Sequence, residues 1–203
     1  MERRKNKLGG RRVILGRQSP RRRELLAGTG LEFVLADRYS AEEIYPSELP
    51  LHEVPEYLAV LKSEAYPQKL NENDILVTAD TVVICGDRIF GKPSGYAGAV
   101  AMLSELSGCR HTVVTGVALR SRDMMRRFSV VSDVWFRKLD AAEIEYYVNT
   151  YSPYDKAGAY GIQEWIGYVA IERIEGSFYN VMGLPVQSLY LELGRFVDML
   201  DGK

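Results

Sequence analysis

The chain has 203 residues, 46% of them hydrophobic and 26% charged, with a formal net charge of −1. That length supports a sizeable core, the near-neutral balance gives no general drive toward nucleic acid, and no apolar run reaches the roughly 18 residues of a membrane span. The charge is uneven, with ten Lys or Arg against the single acid Glu2 in residues 1–23. Residues 1–12 read as a basic, solvated leader, and residues 13–203 as one domain. The apolar run after the basic start is too short for a signal peptide. Cys85 and Cys109 lack motif spacing, which predicts reduced thiols in a cytoplasmic protein.

Val13, Ile14 and Leu15 predict a short buried strand. Ser19 is a good N-cap and Pro20 fits the first helical position. Arg21, Arg22 and Arg23 then oppose the positive end of the helix dipole, a conflict that a bound polyanion would resolve; the alternative is a solvated basic turn. Leu31 to Ala36 predicts a second strand. A long polar loop follows, carrying Asp37, Glu42 and Glu43, and loops of this length are usually functional or mobile.

Val54, Leu58, Leu61 and Ala65 predict one face of a helix opened by Pro55, with Lys62 on its flank as a snorkelling lysine. Residues 74–85 form an apolar run interrupted by Asp80 and Thr81. An acid there must be paired, solvated by a cleft or bound to metal, unless it marks a turn between two strands. Lys92 stands between Gly91 and Pro93 on a defined backbone. Ala99, Met102, Leu103 and Leu106 predict a helix ended by Ser107 and Gly108.

Two long strands joined near residues 121–125 predict a hairpin, with Phe128, Val130, Ser132, Val134 and Phe136 alternating. His111 at a strand start is read as structural. Asp140 and Glu143 form a capping-box pattern before a helix face of Ile144, Tyr147 and Val148. Residues 152–163 are glycine-punctuated and polar, with Asp155, Lys156 and the two-way hydrogen-bonding Gln163. Tyr168 to Ile174 predicts a strand, residues 175–185 a glycine-rich loop, and Leu189, Leu193, Phe196 or Val197, and Leu200 a closing helix. The alternation of elements around a hairpin predicts α/β with a mixed sheet. If the polar singularities share a cleft, its carboxylates and cations suit nucleotide phosphates with a divalent metal.

The segments SPRRRELL, LAVLKSEA, ADTVV, GKP, LSG-x-x-H, TGV, DKAGAYGIQ and EGSFYNVMGLP, in this order over residues 13–193, resemble the Maf family of nucleoside triphosphate pyrophosphatases. The resemblance implies flanking helices on the mixed sheet, two lobes around a central cleft, a relation to inosine-triphosphate pyrophosphatases, and often a homodimer. It implies hydrolysis to the monophosphate and pyrophosphate with Mg²⁺ or Mn²⁺. It makes Asp80 the proton acceptor, Glu42 and Asp80 the metal ligands, and Lys62 and Lys92 the catalytic lysines. Ser19, Arg21, Arg22, Thr81, Asp155, Lys156 and Gln163 become the nucleotide-binding set. Arg21, Thr81 and Gln163 match the branch preferring dTTP and UTP, and a glutamine suits an imide edge. House-cleaning of modified nucleotides and a link to cell-division arrest come with the resemblance; the alternative is a non-catalytic nucleotide- or nucleic-acid-binding regulator of septation. Two departures stand out. Gly16 and Arg17 replace the usual Ala-Ser, and Glu164-Trp165 follows Gln163 where glycine is common.

Overall fold

The computed structural model of the chain describes residues 8–16 and 19–202. In chain order it contains β1 (Arg12–Leu15), α1 (Pro20–Gly28), β2 (Phe33–Leu35), α2 (Val54–Glu64), β3 (Asp74–Cys85) and β4 (Arg88–Phe90). Then come α3 (Gly95–Leu106), β5 (Arg110–Arg120), β6 (Met125–Phe136) and α4 (Ala141–Tyr151). A 3-10 turn (Ala157–Ala159), α5 (Trp165–Val169), β7 (Ile171–Glu175), α6 (Phe178–Met182) and α7 (Val186–Leu200) complete it. The seven strands form one mixed sheet in the order β2-β1-β3-β5-β6-β7, with β4 paired to β3. No helix among the described residues is long and apolar enough to cross a membrane.

β1 runs parallel to both β2 and β3, placing Leu15 opposite Leu35 on one side and Val77 on the other. Parallel strands covered on both faces are apolar throughout, and Val13, Ile14, Leu15, Ile75, Leu76 and Val77 are all buried. β3 runs unbroken through Asp80, so the interruption read as a possible turn is a polar position inside one strand. The turn comes later, at Gly86, where φ is +57° and β4 folds back antiparallel.

Other local readings shift for packing reasons. The buried face of α2 is Val54, Pro55, Leu58, Ala59, Lys62 and Ser63, so Lys62 lies within that face and not on its flank. Tyr168 belongs to α5 and is 84% exposed, which a buried strand start would not allow. A Cβ on Gly167 would run into the Ile162 carbonyl, so that close return requires glycine. β7 begins only at Ile171, and α6 forms inside the stretch read as loop. The capping box at Asp140 and Glu143 is present with both of its hydrogen bonds.

Packing divides the chain into two compact units. The first comprises Met1–Asp80, Thr115–Val130 and Gly183–Lys203, the second Thr81–Val114 and Val131–Met182, and β3 passes from one to the other after Asp80. In the first unit, Ile14, Ala36, Tyr66, Leu70 and Leu76 form a core cluster with Tyr39 packed against it. The start of α2 lies directly on β5, since a Cβ on Gly116 would overlap the backbone of Pro55 and Glu56. Of the stretch expected as a leader, residues 1–7 lie outside the described residues. Leu8 is buried, Arg11 donates to Asp201 at 2.7 Å, and Arg12 grips Asp74 at 2.8 and 2.9 Å.

In the second unit, His111, Phe136 and Tyr160 make mutual edge-on ring contacts. His111 Nε2 lies 2.8 Å from the Tyr160 hydroxyl. Burial pushes the imidazole down to about 4, so it is neutral near pH 7. Cys85 and Cys109 are both free thiols.

Candidate active site

In the first unit the expected cap forms. The Ser19 Oγ accepts from the Arg22 backbone N–H at 3.4 Å, and Pro20 opens α1. This fixes the turn from which the arginines project. Arg22 turns back onto the protein, donating Nε to the Gly183 carbonyl at 2.8 Å and Nη1 to the Ala79 carbonyl at 2.7 Å. Two of its N–H groups are thus met by backbone carbonyls. It ties the start of α1 to the residue before Asp80 and to the turn before α7. Arg21 is half-buried and Arg23 exposed.

Lys62 and Asp80 form a buried ion pair through Asp80 Oδ1, with side chains 4% and 12% exposed. α2 supplies the lysine on its inward face and β3 the aspartate from mid-strand. Asp80 Oδ2 has no partner among the described residues. Burial holds the Lys62 ammonium below its ordinary range; Asp80 and Glu43 oppose that shift and the nearby Arg22 adds to it. Glu43 Oε2 is 3.5 Å from Lys62 Nζ. Glu42 is exposed and makes no ion pair among the described residues, so the acidic-loop residue brought to Lys62 is Glu43.

The loop carrying Glu43 is anchored by a residue that sequence reading passed over. The Tyr39 hydroxyl donates to the Lys62 carbonyl at 2.8 Å, satisfying an acceptor in the last turn of α2. That reach depends on Gly16. A Cβ there would lie 2.9 Å from the Tyr39 hydroxyl and 2.7 Å from Thr78 Cγ2. The departure at Gly16 thus has a packing reason, whereas Arg17 lies outside the described residues. No local pattern in the sequence announces Tyr39, because its partners are distant along the chain.

In the second unit Thr81 is half-buried and Lys92 exposed. The GKP turn is joined to the 3-10 turn, with Gly158 N–H donating to the Gly91 carbonyl at 3.0 Å. Lys156 is buried, and its Nζ donates to Asp155 at 2.9 Å and lies 3.0 Å from Glu164 Oε1. Its charge is therefore met by two carboxylates. Glu164 Oε2 accepts from the Tyr147 hydroxyl, which itself accepts from Gly161 N–H at 3.0 Å. Burial and the adjacent Glu164 raise the Tyr147 pKa, keeping the phenol protonated as donor. Beside this network Gln163 Oε1 is buried without a partner among the described residues. Such an acceptor is costly unless a donor arrives. Sequence reading marked Glu164 as a departure but took Tyr147 only as part of a helix face.

Comparison with known proteins places the chain in a family. The Maf-like protein model matches residues 12–196. A dTTP/UTP pyrophosphatase of Porphyromonas gingivalis strain W83 is 52% identical over 91% of this chain and 94% of its own length. One of Bacteroides thetaiotaomicron is 48% identical over 89% and 94%. Among solved structures, the Staphylococcus aureus Ham1 protein shows a partial likeness, with a TM-score of 0.45 and 14% identity over 62% of this chain and 72% of that one. With the family model spanning nearly the whole chain and relatives at about half identity over most of it, the chain belongs to the Maf-like protein family.

Proposed function

We propose that this protein hydrolyses dTTP and UTP to the nucleoside monophosphate and pyrophosphate. The observation that carries the reading is the Lys62–Asp80 pair, in which one carboxylate oxygen is held by a buried ammonium and the other has no partner among the described residues. Water attacks a phosphorus of the α–β bridge in line. The new P–O bond forms as the bridging P–O bond breaks, and the second oxygen of Asp80 takes the water's proton. Lys62 keeps Asp80 in place and Lys92 offsets charge on the phosphates. Arg21 is the arginine of the N-terminal turn assigned to the substrate, with Ser19 ordering that turn. Arg22 positions the segment leading into Asp80 through its two carbonyl bonds.

The donor set fits a divalent cation. Among the described residues no three acidic, histidine or cysteine side chains gather to hold one alone. Mg²⁺ is commonly held by one or two carboxylates plus substrate phosphates and water. Asp80 and the acidic-loop glutamate would hold it, with Glu43 better placed than Glu42. When bound, the cation neutralises phosphate charge and polarises the reacting centre.

The base preference is supported by Gln163. The ring N–H of uracil and thymine is the donor that its buried Oε1 lacks among the described residues, and the neighbouring ring carbonyl accepts from the amide nitrogen. The names of the relatives agree with this preference. The family resemblance adds a cytoplasmic homodimer and cleanup of modified pyrimidine nucleotides to the same reading.

The test is pyrophosphate release from dTTP, UTP, CTP, ATP and GTP with Mg²⁺, Mn²⁺ or EDTA. Cation-dependent release favouring dTTP and UTP is expected. Release that ignores the base would overturn the role of Gln163. Folded protein releasing nothing from any nucleotide would overturn the enzyme.

A further inference from the structure

Gln163 can read a base only if its amide is held where the base arrives. The tetrapeptide 161–164 is a tight turn closed by Glu164 N–H donating to the Gly161 carbonyl at 3.0 Å. Both ends of that turn are pinned by one network. Gly161 N–H donates to the Tyr147 hydroxyl, the hydroxyl donates to Glu164 Oε2, and Lys156 Nζ meets Glu164 Oε1. Tyr147 lies on the buried face of α4 and is 0% exposed. The turn is therefore fastened to a helix and not left as free loop.

Each member needs the others. The carboxylate of Glu164 is mostly buried, and so is the ammonium of Lys156; either alone would be a poorly compensated buried charge. Tyr147 acts as donor and acceptor at once, so removing its hydroxyl strands Gly161 N–H and one oxygen of Glu164. Space is equally constrained. A Cβ on Gly161 would stand 2.9 Å from Glu164 Cδ and 3.0 Å from Lys156 Cε. Glycine at 161 and glutamate at 164 are thus a matched pair. Gln163, between them, carries the oxygen that has no partner among the described residues.

We infer that Glu164, through Tyr147 and Lys156, is the positioning residue that fixes Gln163 for base recognition. This rests on the pyrimidine reading of Gln163 given above. Glu164 touches neither base nor phosphate in this role; it sets the backbone from which Gln163 reaches. Preorganised donors and acceptors discriminate because the protein does not spend binding energy ordering them. Lys156, whose ammonium is occupied by Asp155 and Glu164, belongs to the same support.

The experiment compares the wild type with Glu164→Gln and Tyr147→Phe, measuring kcat/KM for UTP, CTP and ATP together with amide hydrogen exchange at Gly161. Glu164→Gln keeps the volume but loses the charge and turns one of the two acceptor oxygens into a donor NH2. Both variants should lose about tenfold in the preference for UTP over CTP and ATP, mainly through a higher KM for UTP. Gly161 exchange should quicken in both. A selective wild type whose variants remain as selective overturns the positioning role and leaves the role of Gln163 intact. So does an equal loss of rate on all three nucleotides, which is the signature of a merely structural residue. If the wild type itself shows no uracil or thymine preference, the reading of Gln163 fails, and Gly161 exchange then decides the pinning. Quicker exchange in the variants retains it, and unchanged exchange overturns it.

Discussion

Breaking the Lys62–Asp80 pair from each side separates stability from catalysis. The side chains are 4% and 12% exposed, so the pair is shielded from most solvent screening. Lys62→Met keeps an aliphatic stem of similar bulk and removes the ammonium, leaving the carboxylate of Asp80 without its cation. Removing one member of a buried pair typically costs about 3–5 kcal/mol. Asp80 retains some solvent contact and can take up a proton, which places the cost at the low end, about 3 kcal/mol. Asp80→Asn acts differently. The stranded Lys62 already has a lowered pKa from burial, and Glu43 remains 3.5 Å away, so the lysine can release its proton instead of staying charged. The expected stability loss is smaller, about 1 kcal/mol. Turnover should nevertheless fall by roughly two to three decades, the usual cost of one essential polar group. Urea titration followed by tryptophan fluorescence reads stability, and pyrophosphate release from UTP reads rate. A Lys62→Met protein as stable as the wild type would refute the buried pair. An Asp80→Asn protein with near-wild-type turnover would refute the role of Asp80 in the reaction.

Two further outcomes follow from neighbouring packing. His111 has a folded pKa of about 4 against 6.5 for the free group, so the unfolded chain binds more protons between those values. Its stabilising contribution is complete above about pH 6.5 and is lost as pH falls toward 4, by roughly 3 kcal/mol in all. His111→Gln, which does not titrate, should show a shallower decline in urea titrations across that window; parallel curves would rule this out. Gly16→Ala should destabilise by about 1–3 kcal/mol through overlap with Thr78 and the Tyr39 hydroxyl. The loss should shrink in a Tyr39→Phe background, because the hydroxyl is one of the two clashing groups. Strict additivity in that double-mutant cycle would show that Gly16 and Tyr39 are not coupled.

Much of the architecture is decided by local chemistry, and that part was legible in the residues alone. The Ser19-Pro20 start of α1, the Asp140–Glu143 capping box and the Val186–Leu200 helix depend on neighbours within four positions. Apolar runs placed β1 and β3, and alternation placed β6. The ordered family motifs pointed to Asp80, Lys62 and Gln163 for the same reason, since each lies in a short recognisable string. Tertiary structure decided what those residues touch. Lys62 looked like a surface lysine because helical periodicity cannot show that Asp80, 18 positions away, faces it. The family resemblance points to Glu42, and only the path of the loop, tethered through Tyr39, brings the adjacent Glu43 to the lysine. The place of Arg22 in the turn suggests a phosphate ligand, and only the fold shows that the carbonyls of Ala79 and Gly183 also accept from it. Glu164 and Tyr147 are joined through a turn that folds back on a helix. Periodicity and capping act along the chain, whereas buried charges and hydrogen bonds are satisfied across it, and those partners exist only once the chain has folded.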